Sequence, residues 1–269
     1  MACRLTTLSI DSRFADQYYD GTGEFLIRLP SVMRNVSRIA LTSVEIPQVP
    51  YVFSERCGNT AFFVDISGVR TAQSIADGTY TADQLAAAVT GAIDISGVAL
   101  VYNPTNNRFT IVNVCGTAVV LTLSSVNSAR GRYWGLGYWL GFRVQSVFVG
   151  TSASVAAPSP PILSPPSYAL VQLQCPDMLD NTIHRTESGS FVQALAKIVL
   201  RPGSSGSFEI QYDDASNCVT KENVFPSSTA ITQLRIRLVD AYGVTVDLAD
   251  ADWSLTLEVV EVINSLAKC

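Results

Sequence analysis

Between residues 24 and 29 the side chains of Phe25, Ile27 and Leu29 fall on one side of an extended chain, after the turn residues Asp20-Gly21-Thr22-Gly23. Alternation with a period of two predicts a half-buried strand. A second run, 36–46, sets Ile39 and Leu41 against Arg38 and Thr42. Pro30 and Pro47 close the two runs, where a missing amide donor is tolerated. Shorter strands are predicted at 61–66, 119–123, 168–175, 195–201 and 207–212. The segments 99–102 and 108–114, joined by Asn103-Pro104-Thr105-Asn106-Asn107, predict a hairpin. In 231–239, Leu234, Ile236 and Leu238 oppose Arg235 and Arg237, and Asp240-Ala241-Tyr242-Gly243 turns the chain into 244–248 as a second hairpin. Trp253, Leu255, Leu257 and Val259 alternate with Ser254, Thr256 and Glu258 in a last strand, expected in the same sheet.

The period changes once. Thr81-Ala82-Asp83-Gln84 has the spacing of a capping box, and Leu85, Val89, Ala92 and Ile93 follow at helical intervals, which predicts a helix of three turns. About eight strands remain outside that region, the number a double-sheet jelly roll requires. The expected fold is therefore mainly β: a jelly-roll β-sandwich made from 1–69 and 151–269, interrupted by a small α+β subdomain at 70–150. Within 156–166, Pro158, Pro160, Pro161, Pro165 and Pro166 remove ladder donors and favour a stiff, extended connection.

Composition narrows the function. Hydrophobic residues make up 48% of the 269 and charged residues only 15%, against roughly 25% in an average soluble domain, so surface beyond an ordinary core is expected to be buried or partnered. The net charge of −5 and scattered basic residues give no footprint for a phosphate backbone, so direct nucleic-acid binding is not expected. The first residues lack the apolar core of a secretory signal, and the most apolar window, 134–150, is broken by Arg143 and Gln145. Six cysteines, with no Cys-x-x-Cys pair, argue for reduced thiols in a cytosolic setting and against a zinc site.

Catalytic chemistry finds little support. The single histidine, His184, lies in a polar run that reads as a solvated loop, and no Gly-x-Ser-x-Gly elbow accompanies it. Gly203-Ser204-Ser205-Gly206-Ser207 lacks the Gly-Lys-Ser/Thr ending of a phosphate loop and reads as a turn. Asp247, Asp250 and Asp252 lack the ligand order of a calcium loop and read as a bend, and nothing sets the pair Asp213-Asp214 across a cleft. No enzyme activity, metal or cofactor is expected. Trp134, Tyr138, Trp139, Phe142 and Phe148 form the densest aromatic cluster. Exposed, such a cluster marks a partner surface; buried, it closes the inserted subdomain against the sandwich. Trp134, Tyr138, Trp139 and Phe142 and the five prolines of 156–166 are the candidate interaction residues, and the two termini are further expected contact segments.

Four segments, in order, carry a resemblance: Ile39-Ala40-Leu41-Thr42-Ser43-Val44-Glu45-Ile46-Pro47, Gly78-Thr79-Tyr80 with the helix after it, Leu136-Gly137-Tyr138-Trp139-Leu140-Gly141-Phe142-Arg143, and 238–248 with Asp240-Ala241-Tyr242-Gly243 at its centre. Together they resemble the minor capsid proteins of large icosahedral DNA viruses, of the kind found in algal and other giant viruses. The resemblance implies a jelly-roll protein without enzyme activity, placed beneath or between major capsid capsomers. Its implied partners are the major capsid protein, other minor capsid proteins and further copies of itself, near an inner membrane. Its implied location is the virion capsid, and the host cytoplasm during assembly. Two alternatives stand beside it: a penton protein at the five-fold vertex, and a carbohydrate-binding β-sandwich using Trp134, Trp139 or Trp253 to stack on sugar rings.

Overall fold

The computed structural model describes residues 2–47, 51–124, 135–175, 182–185, 191–200, 211–214, 222–241 and 243–263. The chain divides into two units, Met1–Val49 with Pro166–Cys269, and Pro50–Pro165. The first unit opens with β1 (Ala2–Asp11), a 3-10 turn (Ser12–Phe14), β2 (Gln17–Tyr18) and β3 (Glu24–Ile46). The second contains β4 (Ala61–Ile66), β5 (Val69–Ser74), α1 (Ala82–Ile93), β6 (Val98–Asn103), β7 (Arg108–Asn113), β8 (Val119–Thr122), α2 (Leu136–Leu140), β9 (Ser146–Val149) and β10 (Ala153–Ala156). The chain re-enters the first unit with β11 (Tyr168–Gln174), β12 (Thr182–Arg185), β13 (Phe191–Ala194), β14 (Ala196–Val199), β15 (Gln211–Asp214), β16 (Glu222–Val239) and β17 (Ser254–Ile263).

Among the described residues the first unit holds an eight-stranded antiparallel sheet in the order β1-β17-β3-β16-β11-β14, with β2 and β15 paired to other stretches of β3. Ile10 of β1, Leu255 and Leu257 of β17, Val171 of β11 and Ile198 of β14 belong to the same buried cluster as Phe25, Ile39 and Ile236. A sheet whose two edges share one core curls back over itself, and the result is a jelly-roll sandwich. The fold is mainly β, as the alternation predicts.

β3 is a single strand of 23 residues, although the prolines predict two. Its register against β16 passes from Met33↔Ile231 to Arg28↔Gln233, so the exposed Pro30 falls in an irregularity between ladder rungs, where no amide is needed. The buried positions of β3 run Val36, Ile39, Leu41, Val44, Ile46. That alternation slips twice, at 37–38 and 42–43, and the register against β17 shifts at the same two places. Each slip is a bulge that adds a residue to β3 and lets the core face resume.

The predicted hairpin after β16 forms but is only one bridge long. Residues 244–248 make one bridge, Thr245↔Val239, and the Val244 amide donates to Asp240 Oδ1 at 3.0 Å. The return pairs with the end of β16, Asp240 N–H donating to Val244 O and Val246 N–H to Leu238 O, both at 2.8 Å, and goes no further because β3 holds that edge from Arg237 back. The last strand does lie in the main sheet, between β1 and β3.

The second unit spans more of the chain than the 70–150 read from sequence. Its boundaries fall at Pro50 and Pro165, because β4 pairs with β5 and β8 and not with the jelly roll. Ser67 (φ 52°) and Gly68 (φ 81°) supply the left-handed pair that closes the β4–β5 hairpin in two residues. Its sheets are β5-β4-β8-β9 and β10-β7-β6, and the hairpin expected around 103–107 is β6–β7. α1 buries Leu85, Ala86, Val89 and Ile93 and packs on β6, where Leu100 N–H donates to Thr90 Oγ1 at 2.9 Å. Its capping box is complete: Thr81 Oγ1 accepts from the Gln84 amide and the Gln84 side chain accepts from the Thr81 amide. Among the described residues no helix is long and apolar enough to cross a membrane.

Candidate interaction surfaces

The residues first weighed for chemistry do not converge. His184 lies on β12, opposite Val192 of β13, in a strand and not in a loop. Asp213 and Asp214 lie on β15, opposite Val44 and Ser43 of β3. Ala249 and Asp250 both adopt positive φ and turn the chain between Asp247 and Asp252, with the Ala249 amide donating to Asp247 Oδ1 at 3.0 Å. Among the described residues no three His, Cys, Asp or Glu side chains gather at metal-ligating distance. The glycine-rich run 203–207 lies outside the described residues.

The aromatic candidates separate by burial. Trp134 lies outside the described residues. Trp139 is only 4% exposed, in van der Waals reach of Phe53 with ring centres 5.8 Å apart, and Phe142 is buried as well. Tyr138 is half-buried, with the Arg143 guanidinium 3.9 Å above its ring. These residues form α2 and the turn that ends it, a second helix that the sequence pattern does not predict. Gly141 (φ 89°) terminates α2, and a Cβ there would lie 2.2 Å from the Ser159 carbonyl oxygen. Trp253 is also buried, 2% exposed, its indole N–H donating to the Thr22 carbonyl at 2.7 Å and its ring 5.7 Å from Phe25. Neither Trp139 nor Trp253 offers an open indole face for a sugar.

The proline segment is fastened and not a free connection. Ala157 N–H donates to Phe109 O at 2.8 Å, Ser159 N–H to Gly141 O at 3.1 Å and Ile162 N–H to Trp139 O at 2.8 Å. The prolines between these bonds have no amide to offer, which leaves Pro158 and Pro160 exposed and Pro161 and Pro165 half-buried. Pro166, exposed, begins the return to the first unit.

Two surfaces of the jelly roll stand out, of which the sequence offers only the N-terminal segment as a contact and not its place at a sheet edge. One is an aromatic turn between β1 and β3. Phe14 is 76% exposed, and Tyr18 and Tyr19 are also exposed. The turn is held rigid: Tyr18 Oη donates to the Ser12 carbonyl at 2.6 Å, and the Arg235 guanidinium sits 4.1 Å over the Tyr19 ring. Rigid, exposed aromatic side chains are the residue type that anchors protein interfaces. Beside the turn, Arg13 grips Asp11, Nη2 to Oδ2 at 2.6 Å and Nε to Oδ1 at 3.0 Å. Those hydrogen bonds hold the Asp11 carboxyl below the usual carboxylate range, against a smaller opposing effect of desolvation. A cleft of about 290 Å³ runs past this pair, lined also by Glu45, Asp252 and Trp253. The sequence signal was available: Phe14-Ala15-Asp16-Gln17-Tyr18-Tyr19 places three aromatics in a stretch with no alternation to bury them.

The other surface is the edge strand β1. All ten of its residues pair with β17 in an unbroken register, and no described strand pairs with its other side. Leu5, at its middle, is 60% exposed. Its placement at an edge depends on β17, some 250 residues away in sequence, and no local pattern reveals it.

No protein-family model and no curated protein sequence matches the chain. Among solved structures, the mavirus penton protein aligns over 97% of this chain and 100% of its own, at 9% identity and a TM-score of 0.43. A chain of the 3.5 Å cryo-EM structure of the Sputnik virophage aligns over 99% of both chains, at 10% identity and a TM-score of 0.44.

Proposed function

We propose that this chain is a non-enzymatic structural protein of an icosahedral viral shell, a minor capsid protein whose open surfaces are closed by neighbouring shell subunits. The observation that carries the reading is a jelly roll with a long edge, β1, that no described strand covers, adjoining a rigid exposed aromatic turn at Phe14, Tyr18 and Tyr19. A protein that functions alone blunts such an edge or covers it, whereas an assembly protein uses it. The four sequence segments that resemble minor capsid proteins fall in β3, at the entry to α1, in α2 with its turn, and at the end of β16. They are thus elements that set the architecture of both units.

The contact surfaces on this reading are the β1 edge and the aromatic turn in the first unit, with Tyr138, Pro158 and Pro160 in the second. The major capsid protein is the partner it implies, reached during assembly in the host cytoplasm. Quantitative proteomics of the purified particle tests it: the chain is expected at a fixed ratio to the major capsid protein, and its absence from the particle overturns the reading. A vertex position is the second reading, favoured by the presence of one jelly roll and not two in the described fold. It predicts that the isolated protein assembles into pentamers.

A further inference from the structure

We infer that β1 pairs with β1 of a second copy of this chain, antiparallel about a two-fold axis that passes through Thr6. The pairing concerns this chain alone and holds whether or not it belongs to a shell.

The edge carries a single guard, Arg4, whose charge lies 3.9 Å from the Glu261 carboxylate of β17. Its ladder to β17 runs ten rungs without a bulge, it contains no proline, and Arg4 is the sole charge between Ala2 and Ile10. The opposite edge, β14, is four residues long and shows an exposed Lys197. An edge of this length with so little to blunt it is a template for another strand.

Thr6 selects the occupant. Its Oγ1 is turned inward, buried and without a hydrogen-bond partner, and rotation about χ1 brings it to the side of β1 that no described strand covers. Buried hydroxyls are ordinarily satisfied, and a threonine facing a threonine across an antiparallel pair is a recognised way to satisfy both. A two-fold axis normal to the sheet keeps the core-side face of one strand beside the core-side face of the other, so registers centred on a residue are the permitted ones. Centred on Thr6, the core-side pairs are Thr6 with Thr6, Arg4 with Leu8 and Ala2 with Ile10. The outer pairs are Leu5 with Thr7 and Cys3 with Ser9. No like charges meet, Leu5 gains a cross-strand neighbour, and Asp11, already bound to Arg13, stays outside the paired stretch.

Sedimentation equilibrium of the full chain tests this at concentrations up to about 100 µM, because a single strand pair lies at the small, roughly micromolar end of interfaces. A dimer is expected. Thr6→Lys sets like charges on the axis and should weaken it about tenfold or more, and mixing Thr6→Lys with Thr6→Glu should restore a heterodimer. In a Cys3→Ser background, Thr6→Cys should cross-link to itself under mild oxidation, since opposed residues bring Cα atoms to disulfide distance, and Ser9→Cys should not. The cross-link reads the register without burying a charge, and circular dichroism verifies that each variant is folded. A monomer throughout the range overturns the inference. So does a dimer or pentamer that Thr6→Lys leaves unchanged, or cross-linking as efficient at position 9 as at position 6.

Discussion

Glu24 stands directly opposite Arg237 in the ladder between β3 and β16, Arg237 Nε lying 2.9 Å from Glu24 Oε2. Arg235 reaches the other oxygen, Nε to Oε1 at 2.7 Å. The carboxylate is buried beneath both guanidiniums on the face of the sheet turned away from Phe25 and Ile236. Removing it leaves two partly buried cations without their counter-charge. Glu24→Ala is expected to lower stability by about 3 kcal/mol, measured by urea unfolding.

Gly141 and Gly91 should respond to alanine with opposite signs. At Gly141 both the left-handed φ of 89° and the Ser159 carbonyl, 2.2 Å from the added Cβ, resist the change. Gly141→Ala is expected to destabilise by about 2 kcal/mol or more. Gly91 is an exposed position inside α1 with nothing within 4 Å of a Cβ, so Gly91→Ala is expected to stabilise by about 1 kcal/mol. Paired thermal melts of the two variants check the contrast.

Thr81 closes the first turn of α1 together with Gln84. Thr81→Ala is expected to cost about 1 kcal/mol, while Thr81→Ser, which keeps the oxygen, should cost less than half of that. Chemical denaturation of both variants measures the difference.

Arg13 holds the Asp11 carboxyl below its ordinary range. A carboxyl with a lowered pKa in the folded state adds stability above its unfolded pKa, and that contribution is lost as pH falls through the lowered folded value. The window therefore lies below about pH 4. In Arg13→Ala the Asp11 pKa should rise toward the ordinary value, seen by NMR titration of its carboxyl carbon, and stability at neutral pH should change little because the pair is exposed.

What the sequence discloses and what it hides divide along physical lines. Leu234, Ile236 and Leu238 announce β16 because one face is core and the other is solvent, so alternation survives. The bulges in β3 were also written in the order of residues: Ile39, Leu41, Val44 and Ile46 are spaced two, three and two apart, and the three marks the extra residue. Pairing is another matter. How far 244–248 runs beside β16 depends on which distant strand occupies the edge, and no residue within the segment records that. The β1 edge was hidden for the same reason, and Pro30 misled because a proline ends a ladder rung without having to end a strand. Trp139 and Trp253 illustrate the limit for sites: an indole in an apolar run is equally suited to a core and to a ligand, and neighbours remote in sequence decide.

β3 also imposes a schedule. Its partners β16 and β17 are made almost two hundred residues after it, so on the ribosome it waits for them. The described ladders of the second unit all close within residues 50 to 165. Long-range pairing is slow and leaves strands sticky in the interval. The second unit can therefore close while β3 still lacks its partners, which leaves nascent β3 open to wrong pairing in the interval.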